Sequence, residues 1–156
     1  LAADAKKLDL ARAFGADHTI DVENENAVER VRTLTGGRGA DVVVEVTSYA
    51  TQPVREALDY VRPGGTIVLA GVKGFKPVPD FVSDLIVLKE ISIKGAIGVT
   101  SSGYRKAIEL IERRKHPLAR MHTHDFALKD AALAIKTLAR QVAGDESIHS
   151  TLIPPH

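Results

Sequence analysis

The chain has 156 residues, with 21 Lys plus Arg against 20 Asp plus Glu and a formal net charge of +1. That length allows one domain with a real core, and the balanced charge offers neither a basic field for nucleic acid nor an acidic tail. Zero cysteines exclude disulfides and thiolate zinc sites, and no apolar run approaches the roughly 20 residues of a membrane helix, so a soluble cytoplasmic protein is expected.

Leu1 to Ala3 lead directly into a helical pattern, and Met121 is the only methionine; an upstream segment is expected to belong to the fold. Asp4 to Phe14 carries Leu8, Leu10, Ala11 and Phe14 at helical spacing, with Asp4 as N-cap and Gly15 as the stop. His18 to Val22 reads as a short strand. Ala27 to Leu34 returns to a helix through Val28, Val31 and Leu34, ended by Gly36-Gly37.

Asp41 to Val46 is nearly continuous in β-branched residues, which predicts a strand covered on both faces, as in a parallel sheet. Pro53 stands near the start of the next helix, whose Val54, Leu58 and Val61 share a face. Arg62-Pro63-Gly64-Gly65 reads as a turn before a buried strand, Thr66 to Ala70, that stops at Gly71. Lys73 to Pro79 is a loop, Phe81 to Leu88 a short apolar piece, and Ile91 to Ile97 another strand ending at Gly98.

Ser102 to Arg114 predicts a helix with Ala107, Ile108 and Ile111 inward, broken at His116-Pro117. Leu128 to Gln141 predicts the last helix, through Ala131, Leu133, Ile135 and Leu138. Ile148 to Ile153 is a final strand-like piece before Pro154-Pro155. Alternating strands and helices define the fold class as α/β, a doubly wound parallel sheet of the Rossmann-like kind, with right-handed crossovers placing helices on both faces.

In such sheets ligands bind beyond the carboxyl ends of the strands. Those ends are small or polar: Thr47-Ser48-Tyr49, Ala70-Gly71-Val72 and Ala96-Ile97-Gly98. Any one glycine could simply make a turn, but several small strand ends together favour a floor on which a flat ligand lies against Gly71 and Gly98. The phosphate-binding pattern G-x-G-x-x-G is absent, because Gly36, Gly37 and Gly39 have the wrong spacing and precede a strand. His116, His122, His124 and Asp125 are residue types that metals accept. However, His122 and His124 alternate as on an exposed strand, and His116 precedes a proline break, so no metal site is expected. Glu45, inside an apolar strand, requires a partner and reads as structural.

Several runs together resemble the zinc-type alcohol dehydrogenases among the medium-chain dehydrogenase/reductases. They are Lys7 to Asp17 (KLDLARAFGAD), Asp41 to Thr47 (DVVVEVT), Val61 to Gly71 (VRPGGTIVLAG), Lys94 to Gly98 (KGAIG) and Phe126 to Ala132 (FALKDAA). The resemblance implies a hydride transfer between NAD or NADP and an alcohol or carbonyl substrate. It places residues 70 to 72 along the nicotinamide, with the carbonyls of Ala70 and Ala96 and the amide of Gly98 at its carboxamide. Thr47 and Tyr49 would border the adenosine half, Lys7 the adenine ribose, and His149 a cofactor phosphate. Asp84 to Glu90 would contribute to a strand through which copies pair, so a homo-oligomer is expected.

The resemblance also implies a division into an incomplete cofactor-binding domain, residues 1–116, and a segment, 117–156, that returns to a catalytic domain. Ala2 falls where the family carries its acidic ribose ligand, which leaves NAD against NADP open. The glycine loop, the first strand and the catalytic zinc ligands are expected upstream of Leu1, and the chain alone is expected to be inactive. In the strand order 3-2-1-4-5-6, His18 to Val22 would lack its neighbour and Asp41 to Val46 would have an open edge. Bare edges invite pairing with another chain, so rearranged pairing, a swapped oligomer or poor solubility is expected. Two other functions remain open: a methyltransferase using S-adenosylmethionine, which shares the Arg62-Pro63-Gly64-Gly65 turn before an apolar strand, and a non-catalytic dimerisation module.

Overall fold

The computed structural model describes residues 1–144 and 147–154; Pro155 lies outside them. In chain order the elements are helices α1 (Ala5–Ala13) and α2 (Ala27–Leu34), strand β1 (Ala40–Glu45), α3 (Gln52–Tyr60), β2 (Val61–Leu69), α4 (Asp84–Leu88) and β3 (Ser92–Gly95). Then come α5 (Ser101–Glu112), β4 (His124–Ala127), α6 (Ala131–Leu138) and β5 (Ser150–Ile153). They form two compact units, one of Leu1–Ala3 with Ile20–Thr100, the other of Asp4–Thr19 with Ser101–His156.

The first unit is built on a parallel sheet in the order β1-β2-β3. Its core lies where α3 meets the sheet: Ala57, Leu58, Val61, Ile67 and Ile91 are buried together, with Val43, Leu69, Leu85 and Ile86 packed against them. A second cluster joins Ile20, Ala27 and Tyr60 to Val28, Val31 and Leu34, the face predicted for α2. The Tyr60 hydroxyl donates to Glu56 Oε2 at 2.8 Å. Burial, and then that carboxylate, push its pKa well above the ordinary phenol value.

Four expectations change in this unit. β1 is covered on one face only: Val43 faces the core, while Val42 and Val44 are 56% and 59% exposed. A β-branched run reports strand propensity, and it reports two-sided cover only where a second layer exists. The turn at Arg62–Gly65 lies inside β2 rather than before it. Ala40 pairs with Val61 and Val42 with Thr66, so the extra residues loop out of the ladder. Val61 is held at the near side of that loop because Lys89 Nζ donates to the carbonyls of Leu58 and Val61 at 2.6 and 3.2 Å. The Gly64 amide in turn donates to the Lys89 carbonyl at 2.7 Å.

The segment expected as an oligomer-forming strand, residues 84–90, is the short helix α4 followed by Lys89 and Glu90, the latter at φ +54°. The run Leu85-Ile86-Val87-Leu88 carries no periodicity that separates a strand from a helix. His18 to Val22 makes one parallel bridge, Asp21 to Ala2, rather than a strand. It stops there because the Asp21 carboxylate accepts from the Glu23 amide at 3.0 Å and the Asn24 side chain at 2.8 Å, folding the chain into a local turn. The Asn24 and Glu23 donors hold that carboxyl below its ordinary pKa.

In the second unit, α1 starts as predicted, with Asp4 Oδ1 accepting from the Lys6 and Lys7 amides at 2.8 and 3.4 Å. β4 and β5 pair in parallel, His124 opposite Ser150. The helical periods predicted for α5 and α6 are present, but the predicted faces are not inward. Ala107, Ile108 and Ile111 are exposed, as are Leu133, Ile135 and Leu138 of α6. Ala134 and Thr137 are the buried residues of α6. A one-turn 3-10 helix, Leu128–Asp130, takes the place of the first turn expected for α6.

A candidate cofactor floor at the carboxyl end of the sheet

The register that pairs Glu45 with Leu69 and Leu69 with Gly95 brings the three strand ends level. Past those ends the chains stay joined. The amides of Ala70 and Gly71 donate to the Glu45 carbonyl at 2.8 and 3.1 Å, Ala96 to the Leu69 carbonyl at 2.9 Å, and Tyr49 to the Val72 carbonyl at 3.0 Å. Thr47, Tyr49, Ala70, Gly71, Val72, Ala96 and Gly98 therefore line one edge of the sheet, and all but the half-buried Gly71 are exposed. Val72 and Ile97 add apolar surface there, Ile97 being 88% exposed. Lys7 and His149 belong to the other unit. Lys7 lies in the first turn of α1, its amine 4.0 Å from Asp4 Oδ2, and His149 immediately precedes β5, its Nδ1 3.3 Å from that of His122.

The two glycines of the floor are required for different reasons. A Cβ on Gly71 would run into the Thr47 carbonyl, with the carbonyl carbons of Val46 and Thr47 at 2.7 Å. The space that glycine leaves is filled by the chain's own backbone, so the close approach of the segments after β1 and β2 by itself requires glycine at 71. Gly98 has φ +73° and nothing within 4 Å of where its Cβ would be. Its freedom goes into backbone direction and an open surface.

Beneath the floor lies an ion pair that sequence reasoning missed. Glu45 is buried, and Lys73 Nζ stands 2.6 Å from its Oε2 while also donating to the Thr47 carbonyl. Glu45 Oε1 accepts from the Thr47 amide at 2.8 Å. This one carboxylate thus clamps the segment after β1 to the segment after β2. The signal was present in part: a glutamate inside an apolar strand demands a cation, and Lys73 is the first one past the end of the adjacent strand. Glu45 is structural, as its setting in the sequence implies.

A cavity of about 220 Å³ sits elsewhere in this unit, lined by Arg32, Arg38, Gly39, Asp59, Pro63 and Lys89 at the amino end of the strands. It is smaller than the several hundred Å³ typical of ligand pockets. Among the described residues no group of three or more His, Asp or Glu converges as a metal cage. With no cysteine as well, these residues do not fit a catalytic zinc, and no chemistry is assigned to one here.

The parallel sheet, its helices and its level strand ends define a Rossmann-like α/β cofactor-binding fold. The chain belongs to the zinc-binding dehydrogenase family, whose model matches residues 1–113. Over 152 residues it is 38% identical to a probable alcohol dehydrogenase of Mycobacterium tuberculosis, covering 97% of this chain and 41% of that protein. It is 35% identical to an erythritol/L-threitol dehydrogenase of Mycolicibacterium smegmatis, covering 95% of this chain and 39% of that one. Among solved structures, an alcohol dehydrogenase from Thermotoga maritima superposes with a TM-score of 0.85 at 28% identity, covering 99% of this chain and 42% of that one. The chain spans about two fifths of the length of the relatives it matches. The family match sets aside the methyltransferase reading.

Proposed function

We propose that the chain supplies the nicotinamide-side floor of a dinucleotide site in an enzyme that moves a hydride between NAD or NADP and an alcohol or carbonyl substrate. The cofactor carries that chemistry, and the protein binds and orients it. One observation supports this reading above the rest: Ala70 to Val72 and Ala96 to Gly98 lie side by side at the exposed carboxyl edge, joined by the Ala96 to Leu69 bond at 2.9 Å, in a chain of the dehydrogenase family. Ala70, Ala96 and Gly98 would present backbone groups to the carboxamide, and Gly71 and Val72 would lie along the ring. Thr47 and Tyr49 would border the adenosine half, with Lys7 near the ribose and His149 at a phosphate.

Residues 1–116 would serve the cofactor and residues 117–156 would return to a catalytic domain. A catalytic zinc, where the enzyme uses one, would be held by residues outside this sequence. Copies would associate through residues 84–90, now as the α4 helix rather than as a strand. No helix among the described residues is long and apolar enough to cross a membrane, and the cytoplasm is the proposed place of action.

Titrating the chain with NADH and NADPH, followed by nicotinamide fluorescence, tests the proposal. Saturable binding is expected, and Gly98→Val should weaken it at least about tenfold, or roughly 1.4 kcal/mol. Unchanged binding by that variant would overturn the floor. Alcohol turnover by the chain alone would overturn the expectation that it is inactive.

A further inference from the structure

The second unit carries a cluster of side chains that the cofactor reading leaves mostly unused. Parallel pairing of β4 with β5, His124 opposite Ser150, sets the residues just ahead of each strand beside one another. The His149 carbonyl accepts from the amides of Thr123 and His124 at 3.0 and 3.3 Å and from the Thr123 hydroxyl at 3.1 Å, so this backbone is fixed. From it the rings of His122 and His149 converge, Nδ1 to Nδ1 at 3.3 Å, with their planes 62° apart. On its other side His122 meets a carboxylate, Nε2 to Asp125 Oδ1 at 2.9 Å. The Thr151 hydroxyl lies 3.5 Å from His122 Nδ1.

A carboxylate can only accept, so Asp125 draws the His122 proton to Nε2 and leaves Nδ1 to accept from His149 Nδ1–H, a proton that an ion between the rings would displace. That is the carboxylate–histidine arrangement that orients metal-bound imidazoles. The spacing agrees as well. Two nitrogens on a tetrahedral ion, each about 2.0–2.1 Å from it, stand about 3.3–3.4 Å apart. Rings inclined to one another converge on a point between them, whereas stacked rings do not. We infer that His122 and His149 are paired ligands for a divalent ion of the zinc class, with Asp125 as the positioning residue behind His122 and the remaining coordination positions open to water. The inference does not rest on the cofactor reading, in which His122 takes no part; an ion on His149 would replace the phosphate contact proposed for that side chain.

The test is calorimetric titration of the full, chelator-stripped chain with zinc chloride, with circular dichroism to confirm that each variant folds. One ion per chain is expected. His122→Ala and His149→Ala should each weaken binding at least about tenfold. Asp125→Asn should weaken it by about tenfold or more while keeping one ion per chain, in the range found for partners that orient a ligand. His116→Ala is the control, since His116 stacks on Phe14 at a 6.0 Å centroid distance and should not matter. Nitrogen NMR gives a second readout: zinc should shift the Nδ1 resonances of His122 and His149 and no other imidazole Nδ1. No binding by the parent chain, equal binding by His122→Ala, or unmoved Nδ1 resonances would each overturn the site.

Discussion

The α3 face of the sheet and the α5 helix carry similar amounts of apolar side chain and treat it oppositely. Against the sheet, Leu58, Val61 and Ile67 are almost wholly buried. On α5, Ile108 and Ile111 are 53% and 58% exposed, and none of its residues is buried. Both stretches have helical or strand periodicity of the expected kind. Periodicity therefore identifies the element, while burial depends on whether another element arrives to cover it. The α3 side of the sheet is buried in its own core, whereas among the described residues nothing buries Val42 and Val44 of β1 or the apolar side chains of α5.

Substitutions can break or sharpen this contrast, and the largest effect is expected at the clamp beneath the floor. Glu45→Gln leaves the Lys73 ammonium largely enclosed opposite a neutral amide and should cost about 3–5 kcal/mol in urea unfolding. A loss near zero would mean that Lys73 finds water easily. Adding Lys73→Met to that variant should recover part of the loss. Leu58→Ala, in the densest part of the core, should cost about 2–5 kcal/mol. The matched change Ile108→Ala on α5 should stay within about 0.5 kcal/mol. Equal costs for these two would dissolve the contrast.

Gly71→Ala pushes a methyl group into the backbone after β1 and should cost about 1–3 kcal/mol, measured the same way. Gly98→Ala meets nothing within 4 Å and should cost about 1 kcal/mol, from its positive φ alone.

The smallest effect concerns pH. The hydrogen bond and charge of Arg62 lower the Asp41 pKa from 3.8. A lowered carboxyl pKa means that the contribution is present above 3.8 and is lost as pH falls through the folded value. Acid unfolding should therefore begin at slightly higher pH in Arg62→Met. Identical acid midpoints would show that this exposed pair does nothing.

Local features were the most legible in the sequence. Asp4 reads as an N-cap because a cap is settled within three residues, and α2 spans the predicted Ala27–Leu34 for the same reason. The strand ends of the proposed floor stand out in the sequence too, since small residues cluster at Thr47, Ala70, Gly71, Ala96 and Gly98. What stayed hidden was long-range. The loop at Arg62–Gly65 falls inside β2 because Lys89, far along the chain, ties down Val61. Gly71 is needed for the close approach of the Thr47 backbone, and the cation serving Glu45 comes from a loop. The convergence of His122 and His149 follows from pairing two strands at opposite ends of a helix-bearing segment. None of these contacts has a signature within a window of a few residues.

The central claim is that the carboxyl edge of this sheet is the nicotinamide-side floor. Amide chemical-shift mapping of the isotope-labelled chain with increasing NADH tests it most directly. Saturable shifts are expected at Thr47, Tyr49, Gly71, Val72, Ala96 and Gly98, with Arg32, Arg38 and Gly39 at the amino end unmoved. Shifts confined to the amino end, or none at these positions at saturating NADH, would contradict it.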